Sequence, residues 1–290
     1  MLLALIQSMR PRQWPKNLFV FAALVFDLQI FKLQPLLHTL AGFAILCLAS
    51  SAVYLINDLA DIEGDRLHPV KRKRPIASGR LAPGVAAGAA AVLGIASIGV
   101  SFALGWRFGV IIAAYVVVNL LYSFYLKHIP IIDVFIVAAG FVFRVAAGVV
   151  LIQVARFSPW LYICVTLLAL YVGFGKRRAE MVLLAEGAEA HRKVLDGYTI
   201  PFLDQLIVIV SATTIVGYSF YTFSAENLPK NHTMMLTIPF VIYGIFRYLY
   251  LIHVENSGGA PEELVLTDRP LMATIGLWGA ACVLVLYLGQ

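Results

Sequence analysis

Apolar runs about twenty residues long follow one another down this 290-residue chain, and no other feature restricts its folding as strongly. Such a run, coiled as an α-helix, crosses the ~30 Å hydrocarbon core of a bilayer. Backbone polar groups find no water there, so a spanning chain must be helical or close into a barrel. These runs are too long and too continuous for barrel strands. Nine spans are expected, at 18–31, 36–57, 82–105, 108–126, 130–152, 158–175, 201–222, 233–253 and 270–289. Charged residues make up 13% of the chain, against roughly 25% in a soluble domain. The expected fold class is therefore an all-α integral membrane protein, with one membrane-embedded domain covering 1–290.

The basic residues orient it. With the N-terminus inside, sixteen Lys and Arg fall on the inner side, and only Lys32, Arg107, Arg156 and Lys230 on the outer. Inner segments carry such an excess. The N-terminus is thus expected inside and the C-terminus outside, in the cell inner membrane. The long inner loops 58–81 and 176–200 carry most ionisable groups and are expected to form the cytoplasmic active face. Residues 1–17 read as an interfacial segment. The net charge of +6 suits this topology and anionic lipids or substrates, and nucleic acid is not an expected partner. Cys47, Cys164 and Cys282 each lie within an apolar run, as buried thiols do. No nucleophile–base pair and no nucleotide-binding glycine loop is evident.

Chemistry concentrates at 54–80. Asn57, Asp58, Asp61 and Asp65 leave the end of an apolar run, and Lys71, Arg72, Lys73, Arg74 and Arg80 follow. On one helix Asp58, Asp61 and Asp65 share a face. A divalent cation is the simplest neutraliser of three such charges, and oxygen-only ligands suit Mg²⁺. The downstream Arg74 and Arg80 are phosphate-type ligands. A solvated acidic turn or an ion-transport site are the other readings.

Three further groups stand out. Tyr122, Lys127 and Asp133 flank the Pro130 turn, and Asp133 and Arg144, eleven residues apart, share a helical face on which an intramembrane arginine calls for an anionic partner. Lys176, Arg177 and Arg178 open the loop after the sixth span, with a helix-compatible stretch at 178–196 and Tyr198 beyond. The opening RPRQWPKN is either an interfacial anchor or the source of Lys16 and Asn17 for the site. For the basic residues, structural pairing or topology alone is the competing role.

Asn57-Asp58-x-x-Asp61-x-x-x-Asp65 and the downstream KRPIASGRL resemble the UbiA-type membrane prenyltransferase superfamily. The resemblance implies a nine-helix bundle with Mg²⁺ and a diphosphate held at the cytoplasmic end. The usual second aspartate motif is replaced by KRRAE at 176–180. That opening, with MRPRQWPKN and YSFYLKHIPIIDVFIVAAGFVFRVAAG, is similar to the polyprenyl-phosphate (decaprenyl-phosphate) phosphoribosyltransferase subgroup of cell-wall arabinan synthesis. In that subgroup phosphoribosyl diphosphate donates phosphoribose to a polyprenyl phosphate. The resemblance implies metal ligation by Asp58, Asp61 and Asp65, with Asn57 orienting a phosphate oxygen. It implies phosphate binding by Arg74, Arg80, Lys127, Lys176, Arg177 and Arg178, ribose or metal contact by Asp133, and hydroxyl donation by Tyr122 and Tyr198. Prenyl transfer from a prenyl diphosphate to a small acceptor, and ion-coupled transport, are the alternatives.

Overall fold

The computed structural model describes residues 1–288 except 69, 155–157, 186–192, 227, 256, 258 and 260. Arg156, the middle of the expected 178–196 helix and residue 289 of the last expected span lie outside these. Among the described residues every regular element is helical, and eight helices are long and apolar enough to cross a membrane. They are Leu33–Ala60, Pro83–Leu104, Trp106–Phe124, Ile132–Leu151, Pro159–Leu183, Ile200–Ser224, Thr233–His253 and Arg269–Leu288. Each matches one of the expected spans from 36–57 onward.

The first expected span, 18–31, takes another form. After α1 (Leu2–Met9) the chain winds as a 3₁₀ helix over Pro11–Phe21 and then as the short α2 (Ala22–Phe26). Pro11 and Pro15 lie in that segment and lack the N–H an α-helical ladder needs. Regular α structure is thereby disfavoured just where the apolar run begins.

The chain divides into two compact units, Met1–Val25 with Gln29–Val154, and Phe26–Leu28 with Ala155–Gln290. In the first, α3 (Leu33–Ala60), α4 (Ile62–Leu67), α5 (Pro83–Leu104), α6 (Trp106–Phe124) and α7 (Ile132–Leu151) pack with the N-terminal elements. Val20, Leu46, Phe108, Ile112 and Ala147 lie in its core. Lipid tails are as apolar as these side chains, so close fit and buried polar contacts must hold the helices together. Gly148 supplies one such fit. A Cβ there would lie 2.0 Å from the Val20 carbonyl oxygen, so only glycine lets the 3₁₀ backbone rest on α7. A second cluster packs Ile76 and Leu81 against Leu55, Ala86 and Ala90. It clamps the 75–81 segment onto α3 and α5, with Gly79 at φ +76° turning the chain.

The second unit contains α8 (Pro159–Ala185), α9 (Ile200–Ser224), α10 (Ile238–His253), α11 (Pro261–Thr267) and α12 (Arg269–Leu288). Thr199 caps α9 by accepting the Phe202 N–H at 3.3 Å. Tyr218 joins three elements, since its hydroxyl lies 2.6 Å from Thr237 Oγ1 and accepts from Trp278 Nε1 at 2.8 Å. The loop expected to begin at 176 is helical through Ala185, because α8 carries KRRAE within its C-terminal turns. The expected separate helix at 178–196 is thus, through 185, the end of α8, while Lys193–Gly197 form a 3₁₀ turn.

Candidate active site

The acidic motif spans a bend. Asp58 sits in the last turn of α3, Asp61 takes φ −102° and ψ 8° between helices, and Asp65 lies in α4. Main-chain bonds from Asp61 N to Asn57 O (3.1 Å) and Asp65 N to Asp61 O (2.8 Å) carry the helical ladder across. The expected single face is therefore bent at Asp61. Asp58 and Asp65 turn inward and are 2% and 4% exposed, whereas the Asp61 side chain is 34% exposed.

Arg74 joins the two buried carboxylates. Its Nη1 donates to Asp65 Oδ2 at 2.6 Å and to Asp58 Oδ1 at 3.1 Å. Arg10 Nη2 donates to the same Asp58 oxygen, and its guanidinium lies over the Tyr54 ring at 5.0 Å. Lys127 Nζ donates to Asp61 Oδ1, while Asn57 Nδ2 reaches Asp61 Oδ2 at 3.4 Å. Three protein cations thus stand against the three aspartates. Among the described residues no three His, Cys, Asp or Glu side chains are gathered as a metal site. The donor chemistry still fits Mg²⁺, which needs one or two carboxylates and completes its shell with water and phosphate.

Arg10 is the residue that sequence reading placed among the inner basic residues and in the possible interfacial anchor RPRQWPKN, away from the acidic site. Its signal was proximity to Pro11 within RPRQWPKN, which does not reveal a partner 48 residues away. The residue is left-handed at φ 54°, ψ 61°, at the joint between α1 and the 3₁₀ segment. That conformation is uncommon outside glycine.

Asn17 and Arg144 find each other. Arg144 Nε donates to Asn17 Oδ1 at 2.8 Å, Nη1 to Gly140 O at 2.6 Å, and Nη2 to the Tyr115 hydroxyl at 3.2 Å. These acceptors are neutral, where an anionic partner was expected. Asn17 Nδ2 also lies 3.2 Å from Cys47 Sγ and 3.3 Å from Ser50 Oγ. The network ties the 3₁₀ segment to α3, α6 and α7. A fully buried Asp133 starts α7, just after Ile131 at φ +70°, an unusual angle for a β-branched residue. Lys127 occupies the short 3₁₀ turn before it.

Arg80 lies apart from the carboxylates. It is exposed and holds Ser78 Oγ, Gln7 Oε1 and the Lys73 carbonyl, fastening the loop to α1. His68 Nδ1 accepts the Val70 and Lys71 N–H groups at 3.1 and 3.3 Å. Burial, and then the nearby Lys71 charge, hold its pKa below the ordinary histidine value. Tyr122 is half-buried in the last turn of α6, and Lys16 is half-buried in the 3₁₀ segment.

In the second unit, Arg177 and Arg178 are 4% and 9% exposed. Arg177 Nη1 donates to Glu180 Oε2 at 2.6 Å. Arg178 Nε donates to Asp204 Oδ1 at 2.6 Å and Nη1 to the Ile252 carbonyl at 3.0 Å, tying α8 to α9 and α10. Lys176 is half-buried beside them. Tyr198 is buried and its ring stacks on Phe202 at 6.4 Å. Arg247 grips Asp268 through Nη2 at 2.6 Å and Nε at 3.2 Å.

Solved structures share this fold. A UbiA homologue from Archaeoglobus fulgidus, determined with DMAPP and Mg²⁺, superposes with a TM-score of 0.71 at 19% identity, over 97% of this chain and 98% of that one. Digeranylgeranylglyceryl phosphate synthase gives 0.69 at 16% identity, over 98% of each chain. Sequence relatives are nearer. The decaprenyl-phosphate phosphoribosyltransferase of Mycolicibacterium smegmatis is 35% identical over 96% of this chain and 92% of its own length. Its namesake from Corynebacterium glutamicum is 33% identical over 98% and 87%. The UbiA prenyltransferase family model matches residues 18–260. The chain belongs to the UbiA prenyltransferase family.

Proposed function

We propose that this protein transfers 5-phosphoribose from 5-phosphoribosyl 1-diphosphate to a polyprenyl phosphate of the decaprenyl class, releasing pyrophosphate. The observation that carries the reading is similarity along nearly the whole chain to relatives of that name. The site agrees in its chemistry. Asp58, Asp61 and Asp65 would hold Mg²⁺, which when bound supplies positive charge to the departing diphosphate. Arg74 and Lys127 already stand at the same carboxylates and supply directed charge for phosphate oxygens. The acceptor phosphate is an anion and needs no strong general base. Lys176, in the second unit, is the candidate there for a further phosphate, with Arg177 and Arg178 as additional ligands. Asp133, Tyr122 and Tyr198 remain candidates for the ribose and its hydroxyls.

The N-terminal elements support a ninth membrane-embedded segment. Its apolar part begins at Leu18 and passes from the 3₁₀ helix into α2, within the expected span 18–31. With the basic segments inside, the N-terminus and the acidic site face the cytoplasm and the C-terminus the opposite side.

Purified protein given Mg²⁺, decaprenyl phosphate and radiolabelled phosphoribosyl diphosphate should move label into the lipid fraction. Label absent there, with transfer seen from a prenyl diphosphate to a small acceptor, would overturn the assignment.

A further inference from the structure

We propose that Arg10 is a further diphosphate-binding residue, which exchanges Asp58 for a phosphate oxygen when metal and diphosphate enter together. The inference rests on the reading of Asp58 as a metal ligand. Asp58 is nearly buried, and its Oδ1 accepts from two guanidinium groups. The two are not equivalent. Arg74 also holds Asp65, so two carboxylates anchor it. Arg10 has Asp58 as its carboxylate partner, and its side chain is 27% exposed.

Arg10 would be repelled by a dication held at Asp58, since both are positive and share that carboxylate. The displaced guanidinium, no longer matched, then needs a new anion. A diphosphate bound together with the metal would supply one. The Arg10 guanidinium rests on the flat Tyr54 ring, 5.0 Å from its centre, a contact without the directionality of a hydrogen bond. The Trp14 indole donates to Ser51 Oγ at 3.2 Å, and the Asn17 contacts hold the segment beyond. The backbone around Arg10 is anchored and the side chain is the part that moves. Metal alone must compete with Arg10, whereas metal with diphosphate need not. Each ligand should therefore tighten the other, and by the same factor.

Mn²⁺ as a paramagnetic probe for Mg²⁺, titrated into the purified full chain in detergent with and without pyrophosphate, tests this. In the unaltered protein pyrophosphate should tighten Mn²⁺ by about tenfold or more, the worth of one charge-assisted hydrogen bond. Arg10→Gln should bind Mn²⁺ alone more tightly and pyrophosphate in the presence of Mn²⁺ about tenfold more weakly. Arg10→Lys should fall between. Unchanged affinities in Arg10→Gln, or equal losses of both, would overturn the proposal. Asp58→Asn in parallel separates the two levels. If it loses Mn²⁺ while Arg10→Gln behaves as the unaltered protein, the metal site stands and the Arg10 role falls. If it binds Mn²⁺ undiminished, the metal assignment itself falls.

Discussion

One nitrogen of Arg74 lies 2.6 Å from Asp65 and 3.1 Å from Asp58, so a single guanidinium bridges carboxylates borne by two helices. Arg74→Ala removes that bridge and leaves two nearly buried anions under-compensated. Turnover in the radiolabel assay should fall by on the order of 100-fold, from the loss of charge-assisted bonds. Arg74→Lys should restore only part, because an ammonium is a point charge without the planar fork.

Asp58→Asn and Asp61→Asn keep the side-chain shape and remove the charge. Each should lower turnover on the order of 100-fold and raise the Mg²⁺ concentration needed for half-maximal rate. Retained activity with an unchanged Mg²⁺ requirement would remove these residues from the metal site.

Asn17→Ala takes away the oxygen that receives Arg144 Nε. The buried guanidinium then loses one of three acceptors, at a cost of about 1–3 kcal/mol. The thermal midpoint in detergent should drop, and KM for phosphoribosyl diphosphate should stay near the unaltered value. A raised KM without a stability change would instead place Asn17 on the substrate.

Gly148→Ala pushes a methyl group against the Val20 carbonyl, and backbone on both sides leaves little room to yield. A loss of about 1–3 kcal/mol is expected. Gly88→Ala in α5 has no atom within 4 Å of the new methyl and should match or slightly exceed the parent, since alanine favours a helix over glycine by about 1 kcal/mol. Thermal unfolding of the pair checks both.

His68 accepts two main-chain N–H bonds through a neutral nitrogen, ahead of the turn that delivers Arg74. Its folded pKa lies below the unfolded one, so the unfolded chain binds the proton more readily. The stabilisation is complete above the ordinary histidine pKa and is lost as pH falls from there through the folded value. Activity should decline over that window. His68→Asn, which offers an oxygen acceptor that does not titrate, should flatten this part of the profile.

The sequence by itself determined the membrane class, because uninterrupted apolar runs of helical length admit few other folds. It also located the acidic motif, since Asn57, Asp58, Asp61 and Asp65 are neighbours whose spacing is a local property. Span boundaries after residue 32 were legible for the same reason, within a few residues except at the end of the sixth, where α8 runs on to Ala185. The form of the first segment was not, because Pro11, Pro15 and the contact of Val20 with Gly148 act together across 128 residues. Pairing is likewise a long-range property. Which cation meets which aspartate depends on where α1, the 71–80 loop and the turn before α7 are brought in space. Only the tertiary structure decided that Arg10 reaches Asp58, that Lys127 reaches Asp61, and that Arg144 is satisfied by neutral oxygens. Buried polar groups must be matched by whatever neighbours the packing supplies, and those neighbours are far apart along the chain.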